Sequence, residues 1–188
     1  MSLFSSRSVP IGMTIPNLIT IGRLIIVPLV VVMILDGNWL MAFLLFALAG
    51  ISDAVDGFIA KRFDMASELG AYLDPLADKA LIVSIYVTLA VVGALPVWLV
   101  VLVVARDLMI VAAVLLSHTL AKPVKVKPLL VSKLNTAAQI GFAALMLGTR
   151  AFGIDAGIAI GIGQALVTLL TLASMAAYLA LWLRHMAS

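Results

Sequence analysis

The sequence contains no cysteine and few charged residues, and both shortages restrict what the protein can be. Of its 188 residues, 11% are charged and 64% are hydrophobic, whereas a typical soluble domain carries about 25% charged residues. Disulfides and thiolate metal sites are excluded because there is no cysteine to form them. The low charge and the high hydrophobicity together favour a helical membrane protein over a soluble domain.

Long apolar runs recur along the chain, each close to the ~20 residues that a helix needs to cross a bilayer. We therefore expect an all-α, polytopic membrane protein with six transmembrane helices. The predicted spans cover residues 19–35, 39–60, 70–92, 97–116, 132–148 and 157–183. They use almost the whole chain, so we expect one membrane domain, 1–188, whose polar amino-terminal arm, 1–16, is not a cleaved signal peptide.

Most lysine and arginine residues lie on the connections that fall on one side of these predicted spans. That side holds Arg7, Lys61, Arg62, Lys122, Lys125, Lys127, Lys133 and Arg184. The opposite side holds only Arg150. Because positive residues are retained on the cytoplasmic side, both termini are predicted to be cytoplasmic, in what we expect to be a bacterial inner membrane.

Four aspartates interrupt one of the most apolar stretches of the chain. They are Asp53, Asp56, Asp74 and Asp78. A carboxylate within a membrane helix costs roughly 2.5–3.5 kcal/mol, so four of them cost on the order of 10 kcal/mol unless a cation compensates. Crossing a bilayer does not require such a cost, and the cluster is therefore predicted to have a chemical purpose.

The spacing of the aspartates predicts a metal site. Asp53 and Asp56 are three residues apart and Asp74 and Asp78 are four apart, so each pair lies on one helix face. We expect the short connection 61–69 to fold the third helix back beside the second, so that all four carboxylates converge near the cytoplasmic surface. Oxygen ligands suit Mg²⁺ or Mn²⁺. Two such ions would balance the four charges and form the clamp that phosphoryl displacement uses.

Small and basic residues surround the predicted acidic cluster. Gly57 and Ala60 follow the first acidic pair, and Gly70 precedes the second. Small side chains there leave space for a flat group to lie against the backbone. Lys61 and Arg62 border the same region and can bind a phosphate. These residues predict a cytoplasm-facing pocket for a divalent metal, a pyrophosphate and a planar base.

The spacing D-x2-D-G-x2-A-K-x8-G-x3-D-x3-D resembles the signature of the CDP-alcohol phosphotransferases, membrane enzymes of phospholipid synthesis. Lys61 departs from the arginine usual in this family, and Arg62 follows it directly. The segment P-N-L-I-T-x-x-R from Pro16 to Arg23 and the pair Arg106–Asp107 extend the resemblance. It implies transfer of a phosphatidyl group from CDP-diacylglycerol to an alcohol, with release of CMP, by a protein that is commonly a homodimer.

The resemblance also implies roles for individual residues. It implies that Asp53, Asp56 and Asp74 are metal ligands and that Asp78 is both a ligand and the general base that takes the acceptor's proton. The implied contacts with CDP-diacylglycerol are Gly57, Lys61 and Ser67, together with Asn17 and Thr20. The expected function is therefore a metal-dependent phosphatidyl transfer at the cytoplasmic membrane surface.

The acceptor is predicted from the segment Lys127 to Gln139, which reads K-P-L-L-V-S-K-L-N-T-A-A-Q. This segment is similar to that of the cardiolipin-forming members of the family, whose acceptor is phosphatidylglycerol. The alternative acceptor is glycerol-3-phosphate, which arrives from water as a dianion and needs further cations. Arg106, Lys127 and Lys133 could supply them.

Less specific interpretations are open for some of these residues. Arg106 and Asp107 could form only an ion pair that holds helices together. A polar stripe that enters the fifth span serves either hydrogen bonding between helices or the acceptor site. The stripe consists of Ser132, Asn135, Thr136 and Gln139. A divalent-cation carrier would also place aspartates in helices, although its ligands should lie at the bilayer midplane.

Overall fold

The computed structural model describes residues 15–63, 68–119 and 129–187. Side chains are described within these ranges except for residues 15–20, 56–63, 68–76, 114–115, 118–119 and 186–187. The described residues form six helices and no strand, which confirms the predicted all-α class. The helices are α1 (Ile15–Leu35), α2 (Trp39–Phe63), α3 (Glu68–Val91), α4 (Val97–Thr119), α5 (Leu130–Ala151) and α6 (Gly157–Ala187).

Each helix corresponds to one predicted apolar run, but several helices extend beyond it. Helix α1 begins at Ile15, so the last two residues of the predicted polar arm belong to a helix, and the rest of the arm lies outside the described residues. Helix α6 continues through Arg184 to Ala187. The apolar run ends where polar residues begin, whereas the helical backbone continues through them.

Glycines in the left-handed region lie in three of the short connections, among them Gly153, with φ 63°, between α5 and α6. Gly37 has φ 71° between α1 and α2, and Gly93 has φ 70° between α3 and α4. This conformation is costly for residues with a Cβ atom. The Asn38 N–H donates to the Met33 carbonyl over 2.8 Å and closes the first turn. The connection predicted at Asp36-Gly37-Asn38 is therefore confirmed.

Helix α1 packs against both α2 and α3, α5 packs against α2 and α6, and α4 packs against α6. The core between them contains residues such as Val30, Ile85 and Leu99, each 0% exposed. The sequence predicts that α3 folds back directly beside α2. Helix α1 contacts both of them. The connection 64–67 between α2 and α3 lies outside the described residues, so the direct packing of α3 beside α2 stays a prediction.

Helices α5 and α6 approach each other closely at a glycine. A Cβ atom on Gly163 would lie 2.5 Å from the Phe142 ring, which is itself 3% exposed. Gly161, two residues earlier in α6, would have no atom within 4 Å of an added Cβ. The missing side chain of Gly163 therefore lets the Phe142 ring pack against the α6 backbone.

Large apolar side chains cover much of the outside of the helices. Ile158 is 84% exposed, Leu130 is 73% and Val91 is 72%, whereas soluble monomers rarely expose large contiguous apolar patches. Two of the described helices are long and apolar enough to cross a membrane, Leu130–Ala151 and Gly157–His185. Shorter apolar helices cover Ile21–Leu35 and Trp39–Val55. These surfaces suggest insertion into a membrane.

Candidate active site

A buried arginine joins the first three helices at the predicted acidic cluster. Arg23 of α1 is 1% exposed, and its Nη1 atom lies 2.8 Å from Asp53 Oδ1 of α2 and 2.5 Å from Asp78 Oδ1 of α3. The two carboxylates are about half exposed, at 47% and 48%. One guanidinium nitrogen therefore contacts aspartates from two helices. We call Arg23, Asp53 and Asp78 the Arg23 cluster.

The packing of α1 explains why the arginine is buried. Val30 lies seven residues, or about two turns, after Arg23, so both occupy the same face of α1. Val30 and Ile34 are 0% and 1% exposed. Arg23 is buried because it lies on the same face of α1, which packs into the core. A buried guanidinium is stable only when it is paired, and the two aspartates supply its counter-charge.

The Arg23 cluster fits a divalent metal by the chemistry of its oxygen atoms. Asp53 and Asp78 already converge on one cationic atom, so these carboxylates can share a positive charge held between helices. Hard divalent ions prefer such oxygens. Among the described side chains, no group of three or more His, Cys, Asp or Glu residues could hold a metal. The other predicted ligands, Asp56 on α2 and Asp74 on α3, have side chains outside that set.

A second buried arginine lies in the middle of α4 and joins it to α5 and α6. Arg106 is 3% exposed, and its Nη1 atom lies 2.6 Å from Asp107 Oδ1. Its Nε and Nη2 atoms donate to Ser174 Oγ of α6 over 3.1 and 2.9 Å, and Nη2 also donates to Ser132 Oγ of α5. The Tyr178 ring centroid is 5.8 Å from its Cζ atom. Arg106 therefore holds helices together, as one of the two interpretations predicts.

A lysine beside Asp78 belongs to this second group. Lys79 Nζ lies 2.6 Å from Asp107 Oδ2, so Asp107 pairs with Arg106 through one oxygen and with Lys79 through the other. Lys79 is 41% exposed and Asp107 is 18% exposed. Neighbouring side chains on a helix point about 100° apart, so α3 directs Asp78 to α1 and Lys79 to α4. The Arg106 cluster is defined as Lys79, Arg106, Asp107, Ser132 and Ser174.

The polar stripe of α5 forms hydrogen bonds with its neighbours. Asn135 is 0% exposed, and its Oδ1 atom accepts a hydrogen bond from Thr171 Oγ1 of α6 over 2.9 Å. The backbone carbonyl of Gln139 accepts a hydrogen bond from the Tyr86 hydroxyl of α3 over 3.1 Å. The Asn135 side chain therefore supports the interpretation of the stripe as hydrogen bonding between helices, whereas Gln139 makes its contact through the backbone and its Nε2 atom is buried without a hydrogen-bond partner among the described residues.

The other predicted site residues are placed only in part. Nine lie on described helix backbones, with side chains that are not described: Asn17 and Thr20 of α1, Asp56, Gly57, Ala60, Lys61 and Arg62 of α2, and Gly70 and Asp74 of α3. Ser67 and Lys127 lie outside the described residues. Lys133 is exposed in the first turn of α5. The binding roles of these residues stay predictions.

Neither Arg23 nor Lys79 has a predicted role, although the position of each in the sequence indicates one. Each is a charged residue within an apolar helix, where a charge is costly unless it is paired or functional. Arg23 also ends the segment P-N-L-I-T-x-x-R. The aspartates dominate the pattern because they recur at helical spacing, whereas each basic residue stands alone.

One family match covers most of the chain. The sequence profile of the CDP-alcohol phosphatidyltransferases matches residues 13–182. This range includes all residues of the Arg23 and Arg106 clusters and the complete acidic motif. The match therefore covers both arginine-centred groups as well as the segment that carries the sequence resemblance.

Individual relatives are similar over about three quarters of the chain. The chain is 38% identical over 155 residues to a rat protein named cardiolipin synthase (CMP-forming), covering 74% of this chain and 51% of that protein. The human protein of the same name is 37% identical over 155 residues, with 74% and 52% covered. A rice protein, the chloroplastic CDP-diacylglycerol–glycerol-3-phosphate 3-phosphatidyltransferase 1, is 36% identical over 160 residues, with 76% and 49% covered. The chain spans about half the length of these curated relatives.

Proposed function

This chain belongs to the CDP-alcohol phosphatidyltransferase family, and we propose that it transfers the phosphatidyl group of CDP-diacylglycerol to an alcohol and releases CMP. The observation that carries the proposal is the convergence of Asp53 and Asp78 on one cationic atom. The names of the relatives support the same chemistry. A divalent-cation carrier is less well supported, because the whole motif lies within the family match.

In the proposed reaction, Asp78 acts as the general base and accepts the proton of the acceptor hydroxyl. The hydroxyl oxygen forms a bond to the phosphorus that carries diacylglycerol. In line with it, the bond from that phosphorus to the oxygen of CMP breaks, and CMP leaves with the bonding electrons. Arg23 contacts Asp78 Oδ1 over 2.5 Å and so orients the Asp78 carboxylate toward the acceptor.

The proposed metal ligands are Asp53, Asp56, Asp74 and Asp78, which would hold two Mg²⁺ or Mn²⁺ ions. When bound, such ions neutralise the charge of a pyrophosphate and stabilise both the attacking and the leaving oxygen. The protein's own contribution is to bring acids from α2 and α3 together. Chelation should therefore abolish CMP release, and release that continues undiminished in excess EDTA would rule out this site.

The proposed contacts with CDP-diacylglycerol follow the acidic motif. They are Gly57, Ala60, Lys61, Arg62, Ser67 and Gly70, with Asn17 and Thr20 of α1. Single replacement of Lys61 and Arg62 by alanine identifies which one contacts the pyrophosphate. That variant should raise the apparent KM for CDP-diacylglycerol more than the KM for the acceptor. If neither variant does so, neither residue binds the pyrophosphate.

We propose that all six helices cross the membrane, with both termini and the acidic motif on the cytoplasmic side of a bacterial inner membrane, and that the protein is a homodimer. The one-sided distribution of lysine and arginine supports this orientation. Because the acyl chains of CDP-diacylglycerol stay in the bilayer, the site must open sideways to lipid. Labelling of cysteines introduced at either terminus in sealed inverted vesicles tests the orientation.

The preferred acceptor is phosphatidylglycerol, which would make the product cardiolipin. The relatives named cardiolipin synthase (CMP-forming) from rat, fruit fly and human are 36–38% identical to the chain. Glycerol-3-phosphate is the alternative, because the rice glycerol-3-phosphate 3-phosphatidyltransferase is 36% identical over 160 residues. The two acceptors differ in how they reach the site, since phosphatidylglycerol enters from the bilayer and glycerol-3-phosphate from water.

An acceptor screen on the purified protein tests the proposed function. Labelled CDP-diacylglycerol is offered with phosphatidylglycerol, glycerol-3-phosphate, serine or inositol phosphate, and the lipid product is identified. Cardiolipin formed from phosphatidylglycerol supports the preferred acceptor. Phosphatidylglycerophosphate without cardiolipin makes glycerol-3-phosphate the acceptor, and no CMP release with any alcohol contradicts phosphatidyl transfer.

A further inference from the structure

We propose that Lys79 binds the phosphate group of the acceptor and that Asp107 and Arg106 position it. The inference rests on the proposed phosphatidyl transfer, and it concerns a residue to which the sequence motif gives no role. Both candidate acceptors carry this chemistry, as the phosphodiester of phosphatidylglycerol or the phosphomonoester of glycerol-3-phosphate. A cation that recognises the shared phosphate is therefore expected for either one.

Burial separates the two basic residues of the Arg106 cluster. Arg106 is 3% exposed, and its Nε, Nη1 and Nη2 atoms all contact protein partners, namely Asp107, Ser132 and Ser174. Lys79 is 41% exposed, although Leu81 and Ile82, two and three residues further along α3, are buried. The arginine is thus committed to the protein interior, whereas the lysine is accessible to a ligand.

The position of Lys79 brings its charge close to the proposed base. Its Cα atom is 3.8 Å from that of Asp78 across a trans peptide bond, and the two side chains face different neighbours of α3. Asp78 contacts Arg23 of α1 and Lys79 contacts Asp107 of α4. A phosphate held at Lys79 would leave the rest of the acceptor within reach of the half-exposed Asp78 carboxylate.

The pairing of Lys79 with Asp107 orients the ammonium group without using all its hydrogen-bond donors. A lysine ammonium has three donors, and the contact of Nζ with Asp107 Oδ2 over 2.6 Å needs one of them. Asp107 cannot swing away freely, because Arg106 holds its Oδ1 atom. Two N–H groups of Lys79 therefore remain to donate to phosphate oxygens, which favours a binding role over a purely structural one.

The test compares Lys79→Gln, Lys79→Arg and Asp107→Asn in the full chain, with the acceptor that the wild-type protein uses and with glycerol as an alcohol without phosphate. Lys79→Gln should raise the apparent KM for the phosphate-bearing acceptor by roughly 10- to 100-fold, as loss of a charged hydrogen bond does. The KM for CDP-diacylglycerol and turnover with glycerol should stay within about twofold. Lys79→Arg should recover most of the acceptor affinity.

Asp107→Asn is the matched control, because it breaks the same ion pair and leaves the lysine in place. It should raise the acceptor KM by less than Lys79→Gln. Equal effects of the two variants, or equal losses with glycerol and with the phosphate-bearing acceptor, would show that Lys79 only stabilises the fold. A wild-type protein that releases no CMP with any alcohol would overturn the proposed function itself. An active wild type with an unchanged acceptor KM in Lys79→Gln overturns only the role of Lys79.

Discussion

The Arg23 and Arg106 clusters each place a buried arginine beside aspartate, on faces of α3 about 100° apart, and they differ in the partners of the arginine. Arg23 contacts two aspartates that are each about half exposed. Arg106 contacts Asp107, which is 18% exposed, and two serines of α5 and α6. A buried cation that faces half-exposed carboxylates leaves them open to a ligand, whereas one surrounded by internal partners joins helices.

Loss of the proposed base should have the largest effect on the Arg23 cluster. Asp78→Asn keeps the size of the side chain and removes its ability to accept a proton, so we expect kcat to fall by about 10²- to 10⁴-fold. CMP release from CDP-diacylglycerol measures the loss. Asp36→Asn, in the turn after α1, is the control and should keep wild-type activity. Near-native turnover by Asp78→Asn would contradict its role as the base.

Removal of the second arginine should mainly affect stability. Arg106→Gln leaves Asp107 paired with Lys79 alone and removes the hydrogen bonds to Ser132 and Ser174. Breaking a buried ion pair costs about 3 kcal/mol or more of unfolding free energy. The melting temperature of the purified protein in detergent should therefore fall, and by the same amount with Mg²⁺ as with EDTA. Recovery of the loss by Mg²⁺ would place Arg106 at the metal site and erase the contrast between the clusters.

The first arginine should respond differently to metal. Arg23→Gln leaves Asp53 and Asp78 facing each other without their shared cation, at a cost of about 1–3 kcal/mol in EDTA. A divalent ion can replace the missing charge, so the melting temperature should recover at least in part when Mg²⁺ is added. An equal loss in Mg²⁺ and in EDTA would mean that these aspartates do not share a metal.

The smallest expected effect concerns the contact between α5 and α6 at Gly163, away from both clusters. Gly163→Ala would place a Cβ atom 2.5 Å from the buried Phe142 ring and should cost about 1–2 kcal/mol through overpacking. Gly161→Ala, which meets no atom within 4 Å, should be neutral or slightly stabilising. The apparent Mg²⁺ affinity should not change in either variant. Equal melting temperatures of the two would contradict the close approach.

The sequence predicts the helices well because run length and turn residues are local properties. Six apolar runs match six helices, and the turn at Gly37 lies where its residues predict it. The positions of the acids within helices also follow directly from the sequence. The helix ends are less accurate, since an apolar run measures burial in lipid and not the limit of the helical backbone.

The partners of the charged residues could not be predicted, because they depend on how distant helices pack. Spacing places Asp53 on α2 and Asp78 on α3, but it does not reveal that α1 contributes a cation between them. The pairing of Arg106 with serines of α5 and α6 likewise depends on three helices at once. Lys79 is a single basic residue beside the acidic motif, so it has no repeated spacing from which a role could be predicted.

The contact of Arg23 with Asp78 joins residues 55 positions apart, and this separation has a consequence for biogenesis. During synthesis, Arg23 on α1 emerges before both aspartates, α2 then adds Asp53, and the Arg23 cluster is complete only once α3 has emerged. Non-local contacts of this kind form late, because the intervening chain must first be ordered. A ribosome-bound fragment that ends before α3 therefore lacks the second half of the acidic motif, and Asp53 and Asp78 first meet when three helices are in place.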